Sequence, residues 1–324
     1  MGMPSGPGPT VQRAILTSEL LRLRLENGST QSQAANALDW SLSKLIRIEG
    51  GAVGISTTDL RALVRFYGMS ENDPAVAKLT LLAREGRQRG WWSLYRNELN
   101  QAYYDFIGYE AGASIIRHYG AQMIPGLLQI EDYAKALSTE FAESSAELEV
   151  IVEVRMERRE QILERADPPE LFAILDEAAL HRQVGGQTDM AIMARQLRHL
   201  VEMLERPNIT IEVIPFTMGA HFGMMGDFTV LEFADSRLGD ILFLENARSA
   251  DVIATDRDSR ITDYKLAYAN LRNLVLPASE TAGFIEQIMG SMGRAPSPRS
   301  STGGRRVSRA ARESPAEGRP RPQQ

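Results

Sequence analysis

Cysteine is absent from the 324 residues, and histidine occurs only four times. The first absence removes any disulfide framework and any cysteine-built zinc site. His118, His181, His199 and His221 are too widely spaced to form an H-x-x-x-H metal pair. There is no P-loop, no G-x-G-x-x-G after a strand-like run and no G-x-S-x-G elbow. No apolar run approaches the roughly 20 residues that a membrane span needs. The opening MGMPSGPGPT lacks the basic-then-apolar order of a signal peptide and reads as a disordered lead-in. These absences predict a soluble, cytoplasmic protein without metal, cofactor or enzymatic activity. Asp176-Glu177 is the best carboxylate pair. Neighbours on a strand face opposite ways, and the same acids suit a helix start, so the pair reads as structural.

Charge is uneven. The net is −6, but residues 1–70 hold 7 basic against 5 acidic residues and residues 294–324 hold 8 arginines against 2 glutamates. Residues 71–293 hold 21 basic and 35 acidic residues, a net of −14. An acidic middle does not lie on phosphate, so any nucleic-acid contact belongs to the ends. The tail over 291–324, rich in Pro, Gly, Ser and Arg without apolar period, is expected to be disordered.

The sharpest local signal is Thr30–Gly51, TQSQAANALDWSLSKLIRIEGG. Gln31–Leu38 has Ala34, Ala35 and Leu38 at helical spacing, with Thr30 and Gln33 as a capping box. Leu38-Asp39-Trp40 forms a turn, with Trp40 a plug between helices. Ser41 caps a second helix, Leu42–Glu49, which puts Leu45 and Ile48 on one face and Ser43, Lys44 and Arg47 on another. Gly50-Gly51 stop it. Two short helices, a tight turn and a polar outward face fit a DNA-reading helix-turn-helix. A helix carrying Ile15, Leu16, Leu20 and Leu23 precedes it. Ser56 and Asp59, in a capping-box pattern, open a helix over 60–67, and another spans Pro74–Glu85.

The pattern L-R-x-x-x-G-S-T-Q-x-x-x-A-x-x-L-x-W-S-x-S-K-L-x-R-I-E-x-G resembles the Xre-type family of helix-turn-helix regulators. The resemblance implies that Gln31 holds a phosphate and that Ser41, Leu42, Ser43, Lys44 and Arg47 lie at the DNA, with Arg47 bonding a guanine edge. It also implies that Arg24 and Glu49 bond the first helix to the end of the recognition helix. A protein-docking module is the bland alternative.

Beyond residue 88 the sequence alternates helical and strand-like runs. The strand-like runs are LFAIL (171–175), ITIEVI (209–214), FTVLEF (228–233) and DILFLE (240–245), with helices over 130–137, 145–165, 189–205, 257–274 and 279–290. The stretch after Tyr109-Glu110 reads as helix. Aromatics at 91–109 read as core or dimer interface, and the Gly-rich 219–227 as a lid, partner-contact loop or plain connector. MIPGLLQIEDYAKAL, LDEAALHRQVGG, QLRHLVEMLERPNITIEVIPFTMGAH and GDFTVLEF are similar to the C-terminal half of actinobacterial Xre-type regulators of the WhiJ-like kind, some grouped as antitoxin-like. The expected architecture is a lead-in (1–12), an all-α helix-turn-helix domain (13–88), a mixed α/β (α+β) effector and dimerisation domain (89–290) and an Arg-rich tail (291–324). The function implied is a homodimeric transcription regulator on an inverted-repeat operator in double-stranded DNA. It would be controlled by a small acidic partner protein or a small-molecule effector whose identity the sequence leaves open. The alternative is an antitoxin-like protein that sequesters a partner and autoregulates its operon.

Overall fold

The computed structural model describes residues 8–186, 188–245, 252–255 and 258–292. The Arg-rich tail and most of the lead-in lie outside the described residues. Helix α1 spans Pro9–Glu26, so helix occupies the last residues of the expected lead-in. Proline at its first position supplies a preset φ where no N–H is needed. Its stripe of Val11, Ile15, Leu16, Leu20 and Leu23 is buried. The next helices are α2 (Gln31–Ala37), α3 (Leu42–Glu49), α4 (Thr57–Phe66) and α5 (Pro74–Glu85). Thr30 and Gln33 form the reciprocal capping box. Ser56 caps α4 one-sidedly, which starts that helix three residues before the expected Leu60. Asp59, the other half of the expected box, turns its carboxylate to Lys44 instead. Leu20, Leu45, Leu60 and Leu63 are fully buried at the centre of this head.

The body opens with a 3-10 turn at Trp91–Tyr95 and α6 (Gln101–Glu110). Trp92, Tyr95 and Ile107 bury themselves against Val154 of α8 (Ser145–Leu163), so part of the aromatic run is a small core. Six strands then build one sheet in the order β3-β2-β1-β4-β5-β6. They are β1 (Ile115–Gly120), β2 (Glu170–Asp176), β3 (Ile209–Ile214), β4 (Phe228–Glu232), β5 (Ile241–Leu244) and β6 (Val252–Ala254). β1, β2 and β3 run parallel, with Ile116 opposite Leu171 and Leu171 opposite Ile209. β4, β5 and β6 add to β1 in antiparallel sequence. One face is covered by α6, α7 (Glu131–Ser138), α8, α10 (Ala191–Met203) and α12 (Ala278–Ser291), through Phe106, Tyr133, Ile162, Leu197, Leu200 and Ile285. The other face takes α11 (Arg260–Leu271), through Ile261, Tyr268 and Leu271. The all-α head and mixed α/β body are as the periodicities predict.

Two strands depart from the sequence reading. β1 lies in the stretch read as helix, and β6 falls within a connection without a strand signal. β1 carries Arg117 and His118 at its middle, which hide its period, and each finds a partner across the β1–β4 pair. Arg117 Nε donates to Glu232 at 2.6 Å, and His118 Nδ1 lies 2.8 Å from the Thr229 hydroxyl. A buried ion pair fixes α8 to α6, with Arg158 Nη2 donating to Glu110 at 2.6 Å. Burial pushes the Arg158 guanidinium down, but the Glu110 carboxylate and Tyr103 outweigh it and leave the group firmly charged. Asp176 caps the short helix α9 (Glu177–His181) by accepting from Ala178 N at 2.8 Å, and Glu177 accepts from Phe216 N at 2.7 Å. Among the described residues no helix is long and apolar enough to cross a membrane.

Candidate nucleic-acid interface

The turn between α2 and α3 is made by Asp39, the sole non-glycine residue of positive φ (54°) among those described. A short polar side chain tolerates that left-handed conformation better than a branched one. Trp40 half-buries beside it and Ser41 accepts from Lys44 N at 3.2 Å, which starts α3 one residue later. Leu45 and Ile48 anchor α3 in the core. The opposite face is bare, with Ser41, Leu42, Ser43, Ile46 and Arg47 all exposed.

Glu49 at the end of α3 is a hub. Its carboxylate accepts from Arg24 Nε at 2.8 Å, Gln31 Nε2 at 2.8 Å and the Tyr67 hydroxyl at 3.2 Å. Arg24 also donates to Ser29 O at 3.0 Å. The Glu49 side chain is only 4% exposed, so an uncompensated charge there would be costly. Burial and the Glu49 charge push the Tyr67 hydroxyl well above its ordinary value. Four helices thus meet on one carboxylate: α1, α2, α3 and, through its C-terminal Tyr67, α4.

This geometry separates the residues that sequence grouped together. Gln31, expected at a phosphate, spends its amide nitrogen on Glu49. Lys44 lies 3.9 Å above the Trp40 ring and bonds Asp59 at 2.9 Å, so it braces the turn against α4. Ser41 uses its hydroxyl as the cap. Leu42, Ser43 and Arg47 remain outward, and the Arg47 guanidinium has no bonding partner among the described residues. Ile46, 46% exposed, joins them and was missed in the sequence. Its spacing of four from Leu42 was the available signal. The outward face therefore offers two apolar side chains, one hydroxyl and one free guanidinium. Such a set matches thymine methyl groups and a guanine edge in a major groove. Among the described residues no three His, Asp or Glu side chains cluster as metal ligands.

A capped helix-turn-helix on an acidic α/β body defines a DNA-binding regulator. Residues 15–76 match the family model described as a helix-turn-helix domain. Residues 103–287 match the model described as a domain of unknown function (DUF5753), and since that match spans more than half of the chain, the protein belongs to this family. No curated protein and no solved structure matches the chain.

Proposed function

We propose that the protein is a sequence-specific transcriptional regulator that binds as a homodimer to an inverted repeat and answers through its body to an effector. The observation that carries this reading is the outward face of α3, where Leu42, Ser43, Ile46 and Arg47 stand free while the rest of the motif is tied down. Arg47 reads a guanine, Leu42 and Ile46 meet thymine methyls, and Ser43 bonds an adjacent base or phosphate. Gln31, Lys44 and Ser41 serve recognition by holding α3 at its angle. The head's net of +2 gives a single copy little nonspecific affinity, which favours two heads on half-sites about one helical turn apart.

Selection from random duplex DNA, followed by binding of the winning sequence at several salt concentrations, tests this. A palindromic winner is expected, and Arg47→Ala should weaken it by about 1–3 kcal/mol while relaxing one base position per half-site. Equal binding by Arg47→Ala, or no enriched sequence, would remove α3 from base reading.

A further inference from the structure

The three parallel strands end together, and one segment of chain lies across that end. β1, β2 and β3 finish at Gly120, Asp176 and Ile214, while β4 begins beside them at Phe228. To reach β4 from β3 the chain has to pass β2 and β1, and residues 215–227 do so across their carboxyl ends. The crossing is seated from below. Gly223 sits against the Tyr119 ring with no room for a Cβ. His221 Nε2 lies 3.1 Å from Asp176 Oδ2, and Asp227 accepts from Ala121 N at 2.9 Å. At its flanks Phe216 stacks on His181 at 5.8 Å, and Phe222 packs edge-on against Tyr264 of α11 at 5.5 Å.

Seated in this way, the segment still turns Phe216, Met218, Phe222, Met224 and Met225 outward, from 43% exposed at Met218 to 82% at Met225. At about 200 Å² for a whole side chain of this size, they offer roughly 600 Å² of surface. That is the upper end of what a lone soluble chain leaves in one apolar patch, and such patches mark contact sites. Residues 215–226, PFTMGAHFGMMG, hold no Asp, Glu, Lys or Arg, although 71–293 as a whole carry a net of −14. The acids at the border of the patch are engaged. Asp176 bonds Ala178 N and His221, and Glu177 bonds Phe216 N and His181.

We propose, on the strength of the homodimer reading above, that this patch joins two copies of the chain across a two-fold axis. Charge selects the occupant. Two bodies of net −14 repel wherever their acids face each other, and the uncharged crossing lets them meet without that cost. A basic partner would need free carboxylates, and those at the border already have donors. Two such patches remove roughly 1,200 Å² from water, the size at which specific interfaces begin. Phenylalanine and methionine concentrate at interface cores, where acids are depleted. A two-fold contact requires a surface that complements itself, and unbranched methionine side chains adapt to their own copies.

Sedimentation equilibrium of the full chain over a range of concentrations tests this. Met224→Glu/Met225→Glu is set against Phe141→Glu, which charges a comparably exposed apolar side chain beyond α7. The wild type should dimerise, and the double variant should raise the dimer dissociation constant about 100-fold by opposing like charges. Phe141→Glu should dimerise as the wild type does. A dimer that survives in the double variant, or is lost equally in Phe141→Glu, would overturn this surface and leave the homodimer reading standing. A wild type that is monomeric at every concentration, whether alone or held at the crossing by a different protein, would overturn both. In the unaltered chain, the Met224 and Met225 methyl resonances should move with concentration as the dimer forms. Resonances that stay fixed while the dimer forms would overturn the proposal without recourse to any variant.

Discussion

The head and the carboxyl edge of the body treat buried polar groups in opposite ways. In the head, one carboxylate collects three donors from three other elements, and nothing in that cluster is left over. At the carboxyl edge, the Tyr119 hydroxyl and His221 Nδ1 are buried without a geometric partner, while residues 216–225 turn several apolar side chains to water. A fully satisfied network favours one conformation strongly, whereas an unsatisfied one holds free energy that another arrangement can recover. The head is therefore held to one shape by its polar network, and the edge has no such network to fix it.

That contrast is open to measurement. The largest effect is expected at the hub. Glu49→Ala leaves Arg24 buried without its counter-charge and should cost about 3–5 kcal/mol in thermal or denaturant unfolding. A cost below about 1 kcal/mol would show that the head does not depend on the cluster.

The next effect concerns pH. Burial pushes Asp227 up to about 6 from an ordinary 3.8. The protonated form is therefore the one the fold prefers. Its contribution is present below 3.8 and is lost as pH rises through 6. Asp227→Asn keeps the acceptor for Ala121 N, so it should match wild type near pH 4 and exceed it by about 1–3 kcal/mol at pH 7.5. His118 has the opposite sign. Burial, helped by the Arg158 charge, lowers it to about 3, so its contribution is full above 6.5 and fades as pH falls toward 3. Denaturant midpoints of wild type and Asp227→Asn across pH 4–8 would expose the growing gap, and parallel curves would refute it.

The smallest effect lies at the turn of the head. Asp39→Gly relieves a left-handed φ but loosens the unfolded chain, so stability should change by less than about 1 kcal/mol. Asp39→Val should lose more than that, because a branched residue resists the conformation. Equal stability of the two variants, by calorimetry, would mean that the turn is not under that constraint.

Where local chemistry decides an element, the sequence was readable. α3 runs from Leu42 to Glu49 as its cap and glycines imply, α5 follows Asp73-Pro74, and β3 is the apolar run over 209–214. β1 was not readable, because Arg117 and His118 find their partners 115 and 111 residues away. The bonds that Gln31 and Lys44 make within the head were hidden for the same reason. Each has a polar tip that a helical wheel aims at solvent, and only the approach of Glu49 or Asp59 turns it inward. The crossing of residues 215–227 over β1 was equally hidden, since it follows from strand order.

Helix α1 has a further consequence. Its amino end is gripped by the body, with Thr10 against Gly108 and Val11 against Gly112 of the α6 region, while Arg13 holds Gly86 O at 2.8 Å and the rest of the helix is core to the head. No slack linker intervenes, so the head cannot swivel to suit its target. Head and body thus share one helix, and contacts with the body fix the direction in which the head presents α3.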